Sequence, residues 1–180
     1  MRNNPLPGDP SPHEETARMI RVNQAGEYGA KRIYAGQLAV LKNKASAPVI
    51  RQMAEQEEVH LQAFNRMIAE RGVRPTALQP VWHIAGFLLG AGTALLGEKA
   101  AMACTVAVEE VIDAHYTGQL EKLGEEEPEL KASITKFRAE ELEHRATGLA
   151  HGAKSAPAYP ALTGAIKNAS RLAIWLSTRI

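Results

Sequence analysis

The sequence predicts an all-α protein: a four-helix bundle of two pseudo-symmetric helical hairpins, with an apolar crossover between them and an extra C-terminal helix. Three observations lead there. Aromatic residues make up only 5% of the chain, and alternating Val/Ile/Thr runs are scarce, so no segment reads as a strand. Apolar residues recur at steps of three and four along four long segments, the period of one helix face. Glu-x-x-His occurs twice, as Glu57 to His60 and Glu141 to His144, each about thirty residues after a glutamate set in an apolar stripe.

Residues 1–12, with four prolines and two asparagines, predict a disordered or loosely draped arm ahead of one domain over 13–180. The first helix is expected over 13–42, with Ile20, Asn23, Glu27, Ala30, Tyr34, Leu38 and Leu41 facing inward. Ser46 and Pro48 open the second, whose stripe is Ile50, Met53, Glu57, His60, Phe64 and Met67; Gly72 and Pro75 stop it. Residues 73–97 form the crossover. Val81 to Leu96 is almost free of charge, but sixteen helical residues reach only about 24 Å, short of a bilayer core of roughly 30 Å. The third bundle helix runs from Glu98 to Leu123 through Met102, Val106, Glu109, Ile112 and Tyr116. Acidic residues before Pro128 suit the positive end of a fourth helix, which carries Leu130, Ile134, Phe137, Glu141, His144, Gly148 and His151 in line. The prolines at 157 and 160 break it, and an amphipathic helix over 161–180 follows.

The two hairpins repeat. Tyr34-Ala-Gly-Gln-Leu38 matches Tyr116-Thr-Gly-Gln-Leu120 at a spacing of 82 residues, the same spacing that carries Glu27 onto Glu109. Residues three apart on a helix share a face, so each Glu-x-x-His presents a carboxylate and an imidazole to one point. Glu27, Glu57, His60, Glu109, Glu141 and His144 then converge as the ligand set of a ferritin-like two-metal carboxylate site. Unpaired buried carboxylates cost several kcal/mol each, and no Lys or Arg lies on the stripes at that level, so two dications are the expected compensation. Carboxylate-rich sites with one imidazole per metal suit iron or manganese. Glu57 and Glu141 are the expected bridges, Glu27 and Glu109 the terminal ligands. Glu58, Glu110, Glu140 and Glu143 fall off the stripes and read as surface charges.

Ile20-Arg-Val-Asn-Gln-Ala-Gly-Glu-Tyr-Gly-Ala30, Ile33-Tyr-Ala-Gly-Gln37, Gly90-Ala-Gly-Thr-Ala-Leu-Leu-Gly97, Cys104-Thr-Val-Ala-Val-Glu-Glu110 and Glu140-Glu-Leu-Glu-His144 resemble the demethoxyubiquinone hydroxylase family of ubiquinone biosynthesis, over about residues 18 to 180. The resemblance implies a di-iron monooxygenase that uses O2 to hydroxylate the benzoquinone ring of a polyprenylated precursor. It places the metal ligands on the same six residues, with two irons per chain. It implies a role for His115 and Tyr116 in electron delivery or substrate contact, and NADH as electron source, directly or indirectly. Other ubiquinone-biosynthesis proteins and a second copy of the chain are further partners it suggests. Asn23-Gln24 departs from the Asp-His often found there, off the ligand set.

Tyr116 lies two turns beyond Glu109 on the same face and is either a core tyrosine or a contact of a ligand or substrate. His115 and His151 have structural or exposed readings as alternatives, and Cys104 reads as a small core residue. A net charge of +1 offers nothing to nucleic acid, and a single cysteine excludes an intrachain disulfide framework and a rubredoxin-type four-cysteine module. No G-x-G-x-x-G unit encodes a Rossmann nicotinamide site. No secretory signal or amphipathic presequence is expected at the N-terminus. A long-tailed quinone requires a membrane surface, so a peripheral location is expected, on the cytoplasmic face of a bacterial inner membrane or the matrix face of a mitochondrial one. The stripe Leu162, Ile166, Ala169, Ala173, Leu176 and Ile180, with Ile174 and Trp175 on the otherwise polar side, makes the last helix either an interfacial helix or a fifth core helix. An iron-storage ferroxidase shares the six ligands without needing the apolar segments. A non-catalytic quinone- or lipid-binding protein needs the segments without the ligands.

Overall fold

A computed structural model describes residues 10–125 and 127–180. Most of the arm expected over 1–12 lies outside them. Helix α1, Pro12–Leu41, starts where Ser11 and Glu14 close a capping box: the Ser11 hydroxyl accepts from the Glu14 amide and the Glu14 carboxylate accepts from the Ser11 amide at 2.7 Å. The pattern Ser11-x-x-Glu14 announces this start in the sequence. Helix α2, Ala47–Arg71, ends at Gly72 in the left-handed conformation. The crossover contains helix α3, Gln79–Leu95. Helices α4, Glu98–Lys122, and α5, Pro128–Ala150, form the second hairpin, and α6, Tyr159–Ser177, ends the fold after a 3-10 turn at Ala153–Ser155. Among the described residues no helix is long and apolar enough to cross a membrane.

Helices α1, α2, α4 and α5 are the bundle; α3 lies along α1, and α6 along α4. A single inward stripe understates α4, which is buried without a break from Ala100 to Glu109. Its run of Ala100, Ala101, Ala103, Cys104 and Ala107 lets neighbours approach from every side. Gly148 of α5 is one of them: a Cβ there would meet Val106 at 2.8 Å. Two apolar clusters fill the bundle, one around Ile50, Met53 and Met102 and the other around Ile20, Phe64, Ile134 and Phe137. Between them lies a layer of glutamates.

Candidate metal centre

Each bundle helix supplies one glutamate near its middle, with large apolar residues on its stripe above and below, so helix periodicity alone aims all four at one level. Glu27, Glu57, His60, Glu109, Glu141 and His144 are all buried. They form two overlapping groups: Glu27, Glu57, His60 and Glu141, and Glu57, Glu109, Glu141 and His144. Within each, one donor atom per residue lies within 4.8 Å of the others. His60 Nδ1 stands 3.0 Å from Glu141 and 3.4 Å from Glu27; His144 Nδ1 stands 3.0 Å from Glu141 and 3.3 Å from Glu57. The carboxylates common to both groups, Glu57 and Glu141, are those of the Glu-x-x-His pairs.

The charges of this layer are unbalanced by protein. Among the described residues, Glu27, Glu57 and Glu141 form ion pairs only with the two histidines, and Glu109 forms none. Both oxygens of Glu57 and Nδ1 of His60 are buried with no hydrogen-bond partner. Protons stand where cations are needed. Burial and the neighbouring Glu141 charge raise Glu57 and Glu109 well above the carboxylate range. Burial would pull His60 down, but contact with Glu141 and Glu27 pushes it up to about 10. Burial would raise Glu141, but contact with His144 and His60 holds it at about 2. Four carboxylates and two imidazoles with unpartnered atoms aimed inward fit two divalent ions of the iron or manganese type.

Four side chains hold four of the six from behind. Tyr116 donates to Glu27, and Tyr34 donates to Glu109 at 3.1 Å. Each tyrosine follows the glutamate of its own helix by two turns and bonds the glutamate of the other hairpin. Burial, followed by the nearby carboxylates, raises both phenols, so they remain donors at neutral pH. Glu140 accepts from His60 Nε2 at 2.7 Å, and the Gln56 carboxamide oxygen accepts from His144 Nε2 at 2.9 Å. Glu140 is thus no surface charge as its stripe position suggests; its side chain is only 26% exposed and crosses between helices. Glu58 and Glu110 do pair at the periphery, with Lys31 and with Arg145 and Lys167.

Among the residues picked out in sequence, Tyr116 touches the site and His115 does not. His115 bonds Gln119 at 2.9 Å and lies 3.3 Å from Asn23, and burial and then Lys122 lower it to about 4. His151 is an exposed residue just past the end of α5. Cys104 is buried, its thiol pushed up to about 12 by burial. Tyr34, Gln56 and Glu140 were missed. The repeat that pairs Tyr34 with Tyr116 contains the signal for the first. The other two each precede the glutamate of a Glu-x-x-His but serve the histidine of the other helix, which no one-helix pattern reveals.

A cavity of about 260 Å³ lies between α1, α3, α4 and α6. Gly26, Ile33, Leu89, Val108, Ile112 and Ile174 are among its lining residues, and Gly26 and Val108 are the chain neighbours of Glu27 and Glu109. Ile174 therefore faces inward, whereas Trp175 beside it is 51% exposed. Val81, Ile84, Leu88 and Leu95 of α3 and Leu172 of α6 add to the exposed apolar surface.

The family model described as ubiquinone biosynthesis protein COQ7 matches residues 14–177. The chain is 61% identical over 176 residues to 3-demethoxyubiquinol 3-hydroxylase of Rhodospirillum rubrum, covering 97% of this chain and 83% of that protein. It is 55% identical over 167 residues to the mitochondrial NADPH-dependent 3-demethoxyubiquinone 3-hydroxylase of Homo sapiens, covering 91% and 77%. Against the mitochondrial 5-demethoxyubiquinone hydroxylase of Saccharomyces cerevisiae it is 43% identical over 180 residues, covering 91% and 77%.

Proposed function

The chain belongs to the ubiquinone biosynthesis protein COQ7 family, and from that premise we propose that it hydroxylates the benzoquinone ring of a polyprenylated demethoxyubiquinone with O2. The observation that carries this reading is the buried layer in which Glu57 and Glu141 are shared by two donor groups while both oxygens of Glu57 lack a hydrogen-bond partner. Glu27, Glu57, His60, Glu109, Glu141 and His144 would hold two irons, Glu57 and Glu141 bridging. When bound, the irons supply the redox chemistry that O2 requires. One oxygen atom enters the ring and the other leaves as water, so each turnover consumes two electrons and two protons. A reduced nicotinamide nucleotide is the electron source, directly or indirectly; NADPH stands in the names of the animal relatives.

The chain's own residues set the conditions. Tyr34 and Tyr116 fix the terminal carboxylates from opposite hairpins. Glu140 and Gln56 hold a proton on Nε2 of each histidine and leave Nδ1 facing the centre. The apolar cavity beside Glu27 and Glu109 seats the ring in a water-poor space. The tail leaves toward the apolar surfaces of α3 and α6, and these surfaces support a seat on a membrane face, cytoplasmic in a bacterium or matrix in a mitochondrion. Iron storage would need neither the cavity nor these surfaces.

Glu57→Ala should abolish two-iron loading and quinone hydroxylation, whereas Glu58→Ala, beside Lys31 on the surface, should keep both. Iron per chain, measured after anaerobic reconstitution, separates the two. Equal iron loss in both variants would mean that the faces of α2 are assigned wrongly.

A further inference from the structure

The two donor groups are alike in their six inward ligands and unlike directly behind them. Behind His60 stands a carboxylate, Glu140, 2.7 Å from Nε2; behind His144 stands a carboxamide, Gln56, 2.9 Å from Nε2. Both come from the residue that precedes a bridging glutamate, Glu140 before Glu141 and Gln56 before Glu57, so the hairpin symmetry places them equivalently. Only their chemistry differs. A carboxylate can only accept here, and it draws the Nε2 proton more strongly than a neutral amide oxygen does. The opposite nitrogen, Nδ1, becomes the more basic donor. We infer that the two metal subsites are unequal: the subsite closed by His60 binds its ion more tightly than the subsite closed by His144, with Glu140 and Gln56 as the positioning residues that set the difference.

This inference rests on the two-metal reading of the six ligands and deepens it. The surroundings reinforce the asymmetry. Glu140 is braced by Lys136 at 3.9 Å, and the His60 ring packs at 4.2 Å centroid separation on Phe137, while His144 meets Tyr34 edge-on at 6.2 Å. His60 is therefore held at both its free edge and its face.

The test is an anaerobic titration of the metal-free protein with Mn(II), read by calorimetry and by the EPR signal of free ion, so that no turnover is needed. For unequal subsites the first stepwise constant reports the His60 subsite and the second the His144 subsite. Mutation of an outer-shell partner of a metal-bound histidine typically costs about 10–100-fold in affinity. Glu140→Gln should therefore weaken the first constant by about that factor and leave the second within about twofold. Gln56→Glu should do the converse, strengthening the second constant and barely moving the first. If the subsites were equal in the wild type, Glu140→Gln would instead lower the second constant and roughly halve the first. That result, or no change in either constant for both variants, overturns the inference. A wild-type protein that binds no Mn(II) at all would overturn the two-metal reading itself. Thermal melts of the metal-free variants, expected to match the wild type, separate an effect on the ligand from an effect on folding. A variant whose two constants fall together would also count against the inference.

Discussion

Helix α3 lies on α1 and α6 lies on α4, so each hairpin of the bundle carries its own outer helix. Inside the bundle the two halves are close copies: one glutamate confined to a single donor group, one glutamate shared by both groups, one histidine and one tyrosine apiece. Outside it they are held by different means. α3 meets α1 backbone to backbone. Gly86 sits against the Gly29 carbonyl, Gly90 against that of Ile33, and Gly36 of α1 against Phe87 and Ala91. α6 buries only Thr163, Ile166 and Ser177, and is further secured by Lys167 to Glu110 and by a 2.9 Å bond from Trp82 to Ser177. One outer helix has no room for a methyl group along its seam, and the other rests on side chains that can give.

The largest effect should therefore come from the α1–α3 seam. A Cβ on Gly90 or Gly36 would overlap backbone atoms, which cannot rotate away. Overpacking of side chains costs roughly 1–3 kcal/mol, and a backbone clash should exceed that, enough to detach α3. Gly92, with nothing within 4 Å of its would-be Cβ, is the control. Gly92→Ala should be neutral or stabilise by about 0.5–1 kcal/mol. Thermal melts of Gly90→Ala, Gly36→Ala and Gly92→Ala decide it, and equal melting temperatures would erase the contrast between the outer helices.

A second difference follows the repeat itself. The spacing that maps Tyr34 onto Tyr116 maps Ile33, whose carbonyl seats Gly90, onto His115. In the second half that position joins the amide pair of Asn23 and Gln119. His115 titrates near 4 in the folded protein because burial disfavours its charge, against about 6.5 in an unfolded chain. Below pH 6.5 the unfolded chain gains a proton that the folded chain refuses until about pH 4. Stability is therefore unaffected above that window and falls through it as pH drops, by up to roughly 3 kcal/mol. His115→Gln in the metal-free protein should flatten the wild-type curve over this range. Urea midpoints of the two proteins that fall in parallel would show that His115 is protonated when folded.

Much of the inner layer was legible because a helix carries its phase in its sequence. Glu27, Glu57, Glu109 and Glu141 interrupt apolar stripes at the steps of three and four that also aim the hydrophobes inward, so local spacing predicts their convergence. Glu140 and Gln56 were hidden, since each acts on a histidine of a different helix and looks solvated on its own. α3 was legible as an apolar, glycine-bearing segment, but its contact was not. The four-residue spacing of Gly86 and Gly90 is the mark of close helix approach, yet nothing local says that α1 is the partner. The stripe of α6 was only half right. Ile174, placed with Trp175 on the otherwise polar side, turns in to the cavity, because α6 packs chiefly on α4 but also meets α1 and, through Ser177, Trp82 of α3.

The smallest expected effect concerns how the two outer helices would meet the proposed membrane face. Between Gln79 and Leu95, α3 carries no Lys, Arg, Asp or Glu, and its exposed residues include Val81, Ile84 and Leu88. α6 exposes Leu172 and Trp175 and has Arg171 beside them; Lys167 is tied to Glu110, and Arg179 stacks over the Trp175 ring at 4.3 Å. Burying an apolar side chain fully contributes about 1.5–3 kcal/mol, whereas each basic residue near an anionic surface adds about 1 kcal/mol and is screened by salt. Ser substitution of Val81, Ile84 and Leu88 together should weaken liposome flotation more than Ser substitution of Leu172 and Trp175, because α3 offers the longer apolar face. Raising the salt should weaken it least, since Arg171 on α6 and Arg179 just past its end are the charges to screen there, Lys167 being paired with Glu110, and α3 has none. Iron content measured on the floated variants guards against unfolding, because none of the five side chains reaches the metal layer. Release by salt alone would make the contact electrostatic and would place it at α6. An α6 variant that floats worse than the α3 variant would reverse the ranking of the two outer helices.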